Sequence, residues 1–169
     1  MKARIREDMK RQLTVFSVSS DKEKIDAKIL SALTESEIYQ RAHKIAAFYP
    51  LPFEFDTRAL WRDDTKIWLL PKCLPERRLA FLSADGALSE SKGGLIEPVS
   101  GTPETPDLIL VPGLAWNFDN QRIGFGGGYY DRYLAVFKGD TVSLGYDFQR
   151  LEFPAQAHDV RVQKVFTNE

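Results

Sequence analysis

The sequence predicts an α/β fold, a single domain over residues 1–169 with a mostly parallel central sheet flanked by helices. Three observations predict it. The N-terminal third carries apolar residues at helical spacing. After it come short apolar runs bounded by Pro and Gly, clearest in Asp-Leu-Ile-Leu-Val at Asp107–Val111. A glycine cluster at 124–128 then precedes another helical stretch. Strands that alternate with helices pair in parallel through crossover connections. A chain of 169 residues fits one such domain and buries enough surface to need no staple.

Taken in order, residues 2–16 read as an amphipathic helix, with Ile5, Met9, Leu13 and Phe16 on one face. Lys2 and Arg6 are four apart and neighbours on it. The run Val15–Ser20 breaks the pattern. Ser20 and Glu23 have capping-box spacing and open a second helix with an Ile25, Ile29, Leu30, Leu33 stripe. Thr34 and Glu37 repeat the box for a third, short helix. Lys44–Tyr49 reads as a buried strand ending in Pro50 and Pro52, and Thr57–Trp61 as a helix. Lys66–Leu70 is a strand stopped by Pro71, and Arg78–Leu82 one stopped by Ser83–Gly86. Ser89–Thr105, rich in Gly, Ser and Pro, reads as a long connection. Asp107–Val111 is a strand, Tyr129–Phe137 a helix and Thr141–Tyr146 a last strand. No internal repeat or linker divides the chain.

Charge and composition exclude several classes. A formal net charge of −1 gives no global basic field for nucleic acid. No apolar run reaches the roughly 18 residues that would span a bilayer. The basic N-terminus has no apolar stretch behind it, so it does not read as a secretory signal. Cys73 is the only cysteine, which forbids an internal disulfide and suits a reducing cytoplasm. It reads as a small packing residue. A cytoplasmic, monomeric protein is expected.

In open α/β sheets ligands sit beyond the carboxyl ends of strands, which directs attention to the chain after Val111. There Arg122-Ile-Gly-Phe-Gly-Gly-Gly-Tyr-Tyr-Asp131 concentrates the information. Adjacent glycines allow positive φ and bare backbone N–H groups, and a helix start adds its own. Arg122 supplies a permanent charge and a fork of donors for phosphate oxygens. The spacing is neither a Walker A motif nor G-x-G-x-x-G. From the residues alone two readings stand: a phosphate cradle, or a tight turn packing a helix on a strand. Tyr129 and Tyr130 are either packing aromatics or cleft residues. Asp131 either complements the helix start or helps hold a metal.

These residues resemble a known family. Val111-Pro-Gly-Leu-Ala115 followed by Arg122–Arg132 is similar to the signature of 5-formyltetrahydrofolate cyclo-ligases. Lys2-x-x-x-Arg6, Glu54-Phe-Asp-Thr57, Leu70-Pro-Lys72, Gly94-Leu-Ile-Glu-Pro98 and His158-Asp159 follow the family's order over nearly the whole chain. The resemblance implies conversion of 5-formyltetrahydrofolate and ATP to 5,10-methenyltetrahydrofolate, ADP and phosphate, through phosphorylation of the formyl oxygen and ring closure. It implies a sheet like that of ribose-5-phosphate isomerase and the CoA-transferases. ATP is the implied co-substrate and Mg²⁺ the implied metal. The nucleotide contacts it implies are Lys2, Arg6, Arg122, Gly124, Gly126, Gly127, Gly128, Tyr129 and Tyr130, with Arg122 and Tyr130 catalytic. Tyr49 and Glu54 match folate-contacting positions, and Asp131 is the candidate metal ligand. Against this, Lys2 and Arg6 also read as a solvated helix face, Tyr49 as core, and His158 as a hydrogen-bonded structural residue rather than an acid–base group. Asn117, Gln156, Gln163 and Asn168 stand where the family pattern leads one to expect acids, which bears on the metal.

Overall fold

The structure is a computed structural model that describes residues 1–169. Helix α1 spans Lys2–Ser17, α2 Lys22–Thr34 and α3 Glu37–Gln40. Strand β1 (Lys44–Ala46) lies at the middle of a six-stranded sheet with β2 (Ile67–Leu74), β3 (Arg78–Ser83), β6 (Leu108–Leu110), β9 (Asp140–Leu144) and β10 (Lys164–Phe166). The spatial order is β10-β9-β6-β1-β2-β3, parallel throughout except for the antiparallel edge strand β3. Two small hairpins stand beside the sheet: β4 (Leu88–Glu90) with β5 (Ile96–Pro98), and β7 (Ala115–Trp116) with β8 (Arg122–Ile123). Helix α4 spans Tyr129–Leu134. No helix is long and apolar enough to cross a membrane.

The central strands are apolar on both faces because both are covered. Ile45, Leu70, Leu108, Leu110 and Val142 face the α1–α2 side, meeting Met9, Leu13, Ile29 and Leu33. Their alternates Ala46, Leu69, Ile109 and Val111 face α4, meeting Leu134 with Tyr130 and Tyr133 at its edge. The stripes predicted for α1 and α2 are thus the buried ones.

Several local expectations are corrected. The Ser20–Glu23 box does not form: Asp21 is the N-cap, its backbone is already helical (φ −87°, ψ −14°), and no side chain caps it. Thr34 remains inside α2; Ser36, extended at φ −75°, ψ 149°, caps α3 by accepting from the Tyr39 N–H. An N-cap needs that extended backbone, and only Ser36 has it. Pro71 does not stop β2, which continues to Leu74. Leu69 faces β1, since its carbonyl accepts from the Ala47 N–H, so by alternation the Pro71 nitrogen faces the same side, where β1 has ended. The missing N–H breaks no ladder. The expected connection 89–105 contains most of the β4–β5 hairpin, closed around Gly93 and Gly94. The helix expected to Phe137 ends at Leu134, where the chain tightens into i→i−3 bonds at Val136 and Phe137. The pairs β7–β8 and strand β10 have no counterpart in the sequence reading.

Candidate functional site

The sheet's switch point lies between β1 and β6, since the chain runs from β1 to β2 on one side and returns to β6 on the other. The carboxyl ends of these strands open on a cavity of about 510 Å³. Phe48 and Tyr49 reach it from beyond β1, Pro112 from beyond β6, and Pro71 and Cys73 from β2. Its wall is largely apolar, with Phe48, Leu51, Phe53, Leu79, Leu95 and Ile96. A second recess of about 420 Å³ adjoins it through Tyr49, Leu51, Glu54 and Ile96.

The β7–β8 hairpin builds the polar end. The Leu114 N–H donates to the Ile123 carbonyl at 2.8 Å, bringing Arg122 back over the chain that leaves β6. Arg122 is buried, its side chain 5% exposed. Its Nη1 donates to the Pro112 carbonyl at 3.0 Å, and its Nη2 is 3.5 Å from an Asp131 oxygen. Its Nε has no partner. Burial holds the guanidinium below its ordinary pKa, with Asp131 and Tyr130 opposing. The Tyr130 ring lies 5.5 Å from the guanidinium, and its buried hydroxyl is also unpartnered. Desolvation pushes that phenol well above the usual tyrosine range. Native interiors seldom leave such groups unsatisfied, and two of the four in this chain line one cavity.

From Arg122 the chain enters the glycine loop. None of the five amide N–H groups of 124–128 donates to an acceptor within the protein. Gly126 (φ 101°) and Gly128 (φ 77°) occupy backbone regions that side chains disfavour. A Cβ on Gly124 would collide with Arg122 Nη1, so a bare backbone is what lets the guanidinium settle there. Arg6 reaches the loop from α1, its Nε donating to the Gly124 carbonyl at 2.8 Å. Because α4 has only six residues, the cradle consists of loop amides and side chains more than of a helix end.

Opposite stands Glu54. The rigid Pro50-Leu-Pro52 turn folds back so that the Leu51 N–H donates to its carboxylate at 2.9 Å. Burial outweighs that bond and pushes the carboxyl up to about 7. Tyr49 lies beside it, under the Arg58 guanidinium at 5.5 Å. Burial and the neighbouring Glu97 carboxylate raise the Cys73 thiol to about 11, so it stays protonated.

The model of the 5-formyltetrahydrofolate cyclo-ligase family matches residues 1–168. The chain belongs to that family. A 5-formyltetrahydrofolate cyclo-ligase of Mycoplasma pneumoniae is 27% identical, covering 93% of this chain and 90% of that protein. The NMR structure of Aquifex aeolicus 5,10-methenyltetrahydrofolate synthetase superposes with a TM-score of 0.84 at 28% identity, covering 99% of this chain and 90% of that one. The structure of a Mycoplasma pneumoniae 5,10-methenyltetrahydrofolate synthetase has a TM-score of 0.80 over 99% of both chains; at 22% identity it speaks for the fold.

Of the residues matched to the cyclo-ligase pattern, Arg122, Gly127, Gly128, Tyr129, Tyr130, Tyr49 and Glu54 line the cavity. Gly124, Gly126 and Arg6 stand directly behind them. Lys2 lies apart, its Nζ held by Asp159 at 2.8 and 3.0 Å and by Gln156 at 3.1 Å. Burial resists a charge on Asp159, but the bonds from Lys2 and the Gln156 amide hold its carboxyl below the usual range. His158 is exposed and outside the cavity. The four positions that depart from the family's acids each make local hydrogen bonds. Asn117 accepts from the Asp119 and Gln121 amides, Gln163 from Thr141, and Asn168 from Asp147, while Gln156 accepts from Lys2. None lines the cavity. Sequence reasoning missed Lys10 and Phe53, and it quoted Phe125 and Glu97 within motifs without giving either a role of its own; all four are in the wall. Of the first two, Lys10 left a signal, one helical turn beyond Arg6 on the Lys2–Arg6 face.

Proposed function

We propose that this chain converts 5-formyltetrahydrofolate and ATP to 5,10-methenyltetrahydrofolate, ADP and phosphate, acting as a cytoplasmic monomer whose cavity is walled by one chain. The observation that carries the reading is Arg122: a guanidinium removed from water, with a free Nε, beside five acceptorless amides. A buried charge with so few partners is costly until an anion completes it, and a triphosphate does so. Glu54 suits the other substrate, because a carboxylate accepts from the amino and ring N–H donors of a pterin. The cavity and its adjoining recess give two substrates a shared wall at Tyr49 and Glu54.

The formyl oxygen leaves poorly as it stands. In the proposed reaction it attacks the γ-phosphorus, and the bond to the ADP oxygen breaks. A second folate nitrogen then attacks the formyl carbon, and phosphate departs with the formyl oxygen. Phosphoryl transfer asks chiefly for placement and charge neutralisation. Arg122 and the loop amides supply these, and the Tyr130 hydroxyl adds a donor on the same wall. Asp131, beside Arg122, would give one carboxylate oxygen to a magnesium ion carried by the nucleotide, with phosphate oxygens and water completing it, and the ion would neutralise phosphate charge. The parallel sheet with one antiparallel edge supports the likeness to the ribose-5-phosphate isomerase and CoA-transferase fold.

Mixing purified protein with 5-formyltetrahydrofolate, ATP and magnesium should generate methenyl-folate absorbance and one ADP per product. ATP hydrolysis without methenyl product would point to a different phosphotransferase. Folate binding without turnover would leave a non-catalytic binder. Either result sinks the proposal.

A further inference from the structure

The hairpin joining β2 to β3 is strained where it meets the glycine loop. Glu76 (φ 64°) and Arg77 (φ 58°) are consecutive non-glycine residues in the left-handed region. Such residues persist where surroundings over-determine them, often at functional sites. Here the strained turn presents Arg77, whose Nη1 donates to the Gly127 carbonyl at 2.8 Å. Arg77 has no carboxylate partner, and neither do Arg6 or Lys10. Arg77 itself is exposed and outside the cavity wall, whereas Gly127 and Gly128 are in it.

We propose that Arg77 is a positioning residue for ATP: it holds the Gly127 carbonyl outward so that the Gly128 N–H faces the cavity. The inference rests on the phosphate-cradle reading above. In a planar trans peptide the C=O and N–H point in opposite directions. Fixing the Gly127 carbonyl on a guanidinium outside the cavity therefore aims the amide of the next residue inward. The charge also polarises that peptide, making its N–H a stronger donor. Arg6 holds the Gly124 carbonyl at the loop's other end, so two guanidinium groups pin a five-residue glycine-rich segment that would otherwise be free to flip. The turn with both residues in the left-handed region is the one from which this hairpin tip delivers its guanidinium to Gly127.

The test is ATP affinity by calorimetry and ¹⁵N relaxation of the loop amides for the wild type, Arg77→Ala, Arg77→Lys and, as a charge control, the neighbouring Arg78→Ala. Arg78 donates to the Pro75 carbonyl and makes no hydrogen bond to the loop. Loss of one charge-assisted hydrogen bond predicts about tenfold weaker ATP binding for Arg77→Ala. The same variant should show greater mobility at Gly127 and Gly128, unchanged 5-formyltetrahydrofolate affinity and an unchanged melting temperature. Arg77→Lys should recover most of the affinity, and Arg78→Ala should match the wild type. Unchanged ATP affinity in Arg77→Ala overturns the inference, as does an equal loss in Arg78→Ala or a parallel loss of folate affinity. A wild type that binds ATP but makes no methenyl product defeats the cyclo-ligase reading and leaves Arg77 to be judged by the affinities.

Discussion

Arg122 is buried and Glu54 half-buried, though both are charged in water, so each trades stability for a ligand contact. Burying a charge with an unpartnered Nε is costly, and Asp131, its only carboxylate partner at 3.5 Å, keeps access to water when the guanidinium is removed. Arg122→Met should therefore be at least as stable as the wild type, and up to roughly 3 kcal/mol more so, while turnover falls by about 10²–10³. Urea denaturation and steady-state rates check this; a variant that fails to fold would make Arg122 a structural cross-link instead. For Glu54, the carboxyl keeps its proton to about pH 7 in the folded state but loses it near 4.5 when unfolded. The folded state thus binds more protons between those values, and stability falls as pH rises through that window. Glu54→Gln should match the wild type at pH 4 and exceed it by roughly 1–3 kcal/mol at pH 8. A constant difference across pH would contradict the buried carboxyl. Both residues were legible in the sequence through the motifs around them. The orphaned Nε and the raised carboxyl pKa were not, because each depends on what the fold places nearby.

At the level of elements, the glycine loop and the hairpin tip carry opposite expectations. A Cβ on Gly127 would come within 2.9 Å of the Tyr129 ring, which lines the cavity. Gly127→Val should drive that ring into the phosphate path and remove ATP binding while the far-ultraviolet circular dichroism stays unchanged. At the tip, Glu76→Gly relieves one left-handed residue and should raise stability by on the order of 1 kcal/mol in thermal unfolding. The sequence located the helices and most sheet strands because their apolar spacing is local information. It misplaced both capping boxes because Asp21 and Ser36, not Ser20 and Thr34, occupy the N-cap positions. It stopped β2 at Pro71 because the early end of β1, which leaves that position without a ladder bond, is a tertiary fact. The β4–β5 hairpin hid in a Gly- and Ser-rich stretch whose strands are three residues each. That omission removed Leu95, Ile96 and Glu97 from the expected cavity wall.

On the scale of the whole molecule, the parallel sheet sets the position of everything else. Its switch point between β1 and β6 puts Tyr49 and Glu54 on one strand exit and the Arg122 hairpin on the next. The site is therefore assembled from segments more than 60 residues apart in sequence. The sequence made its order visible and left its depth unseen, since the wall formed by Phe53, Phe125 and Lys10 exists only after folding. The most direct measurement is an ATP titration of ¹⁵N-labelled protein saturated with 5-formyltetrahydrofolate, followed at backbone amides and arginine Nε–H groups. Shifts concentrated at 124–128 and at the Arg122 Nε–H are the predicted result. Saturable ATP binding that leaves those signals still and moves a different surface would contradict the account.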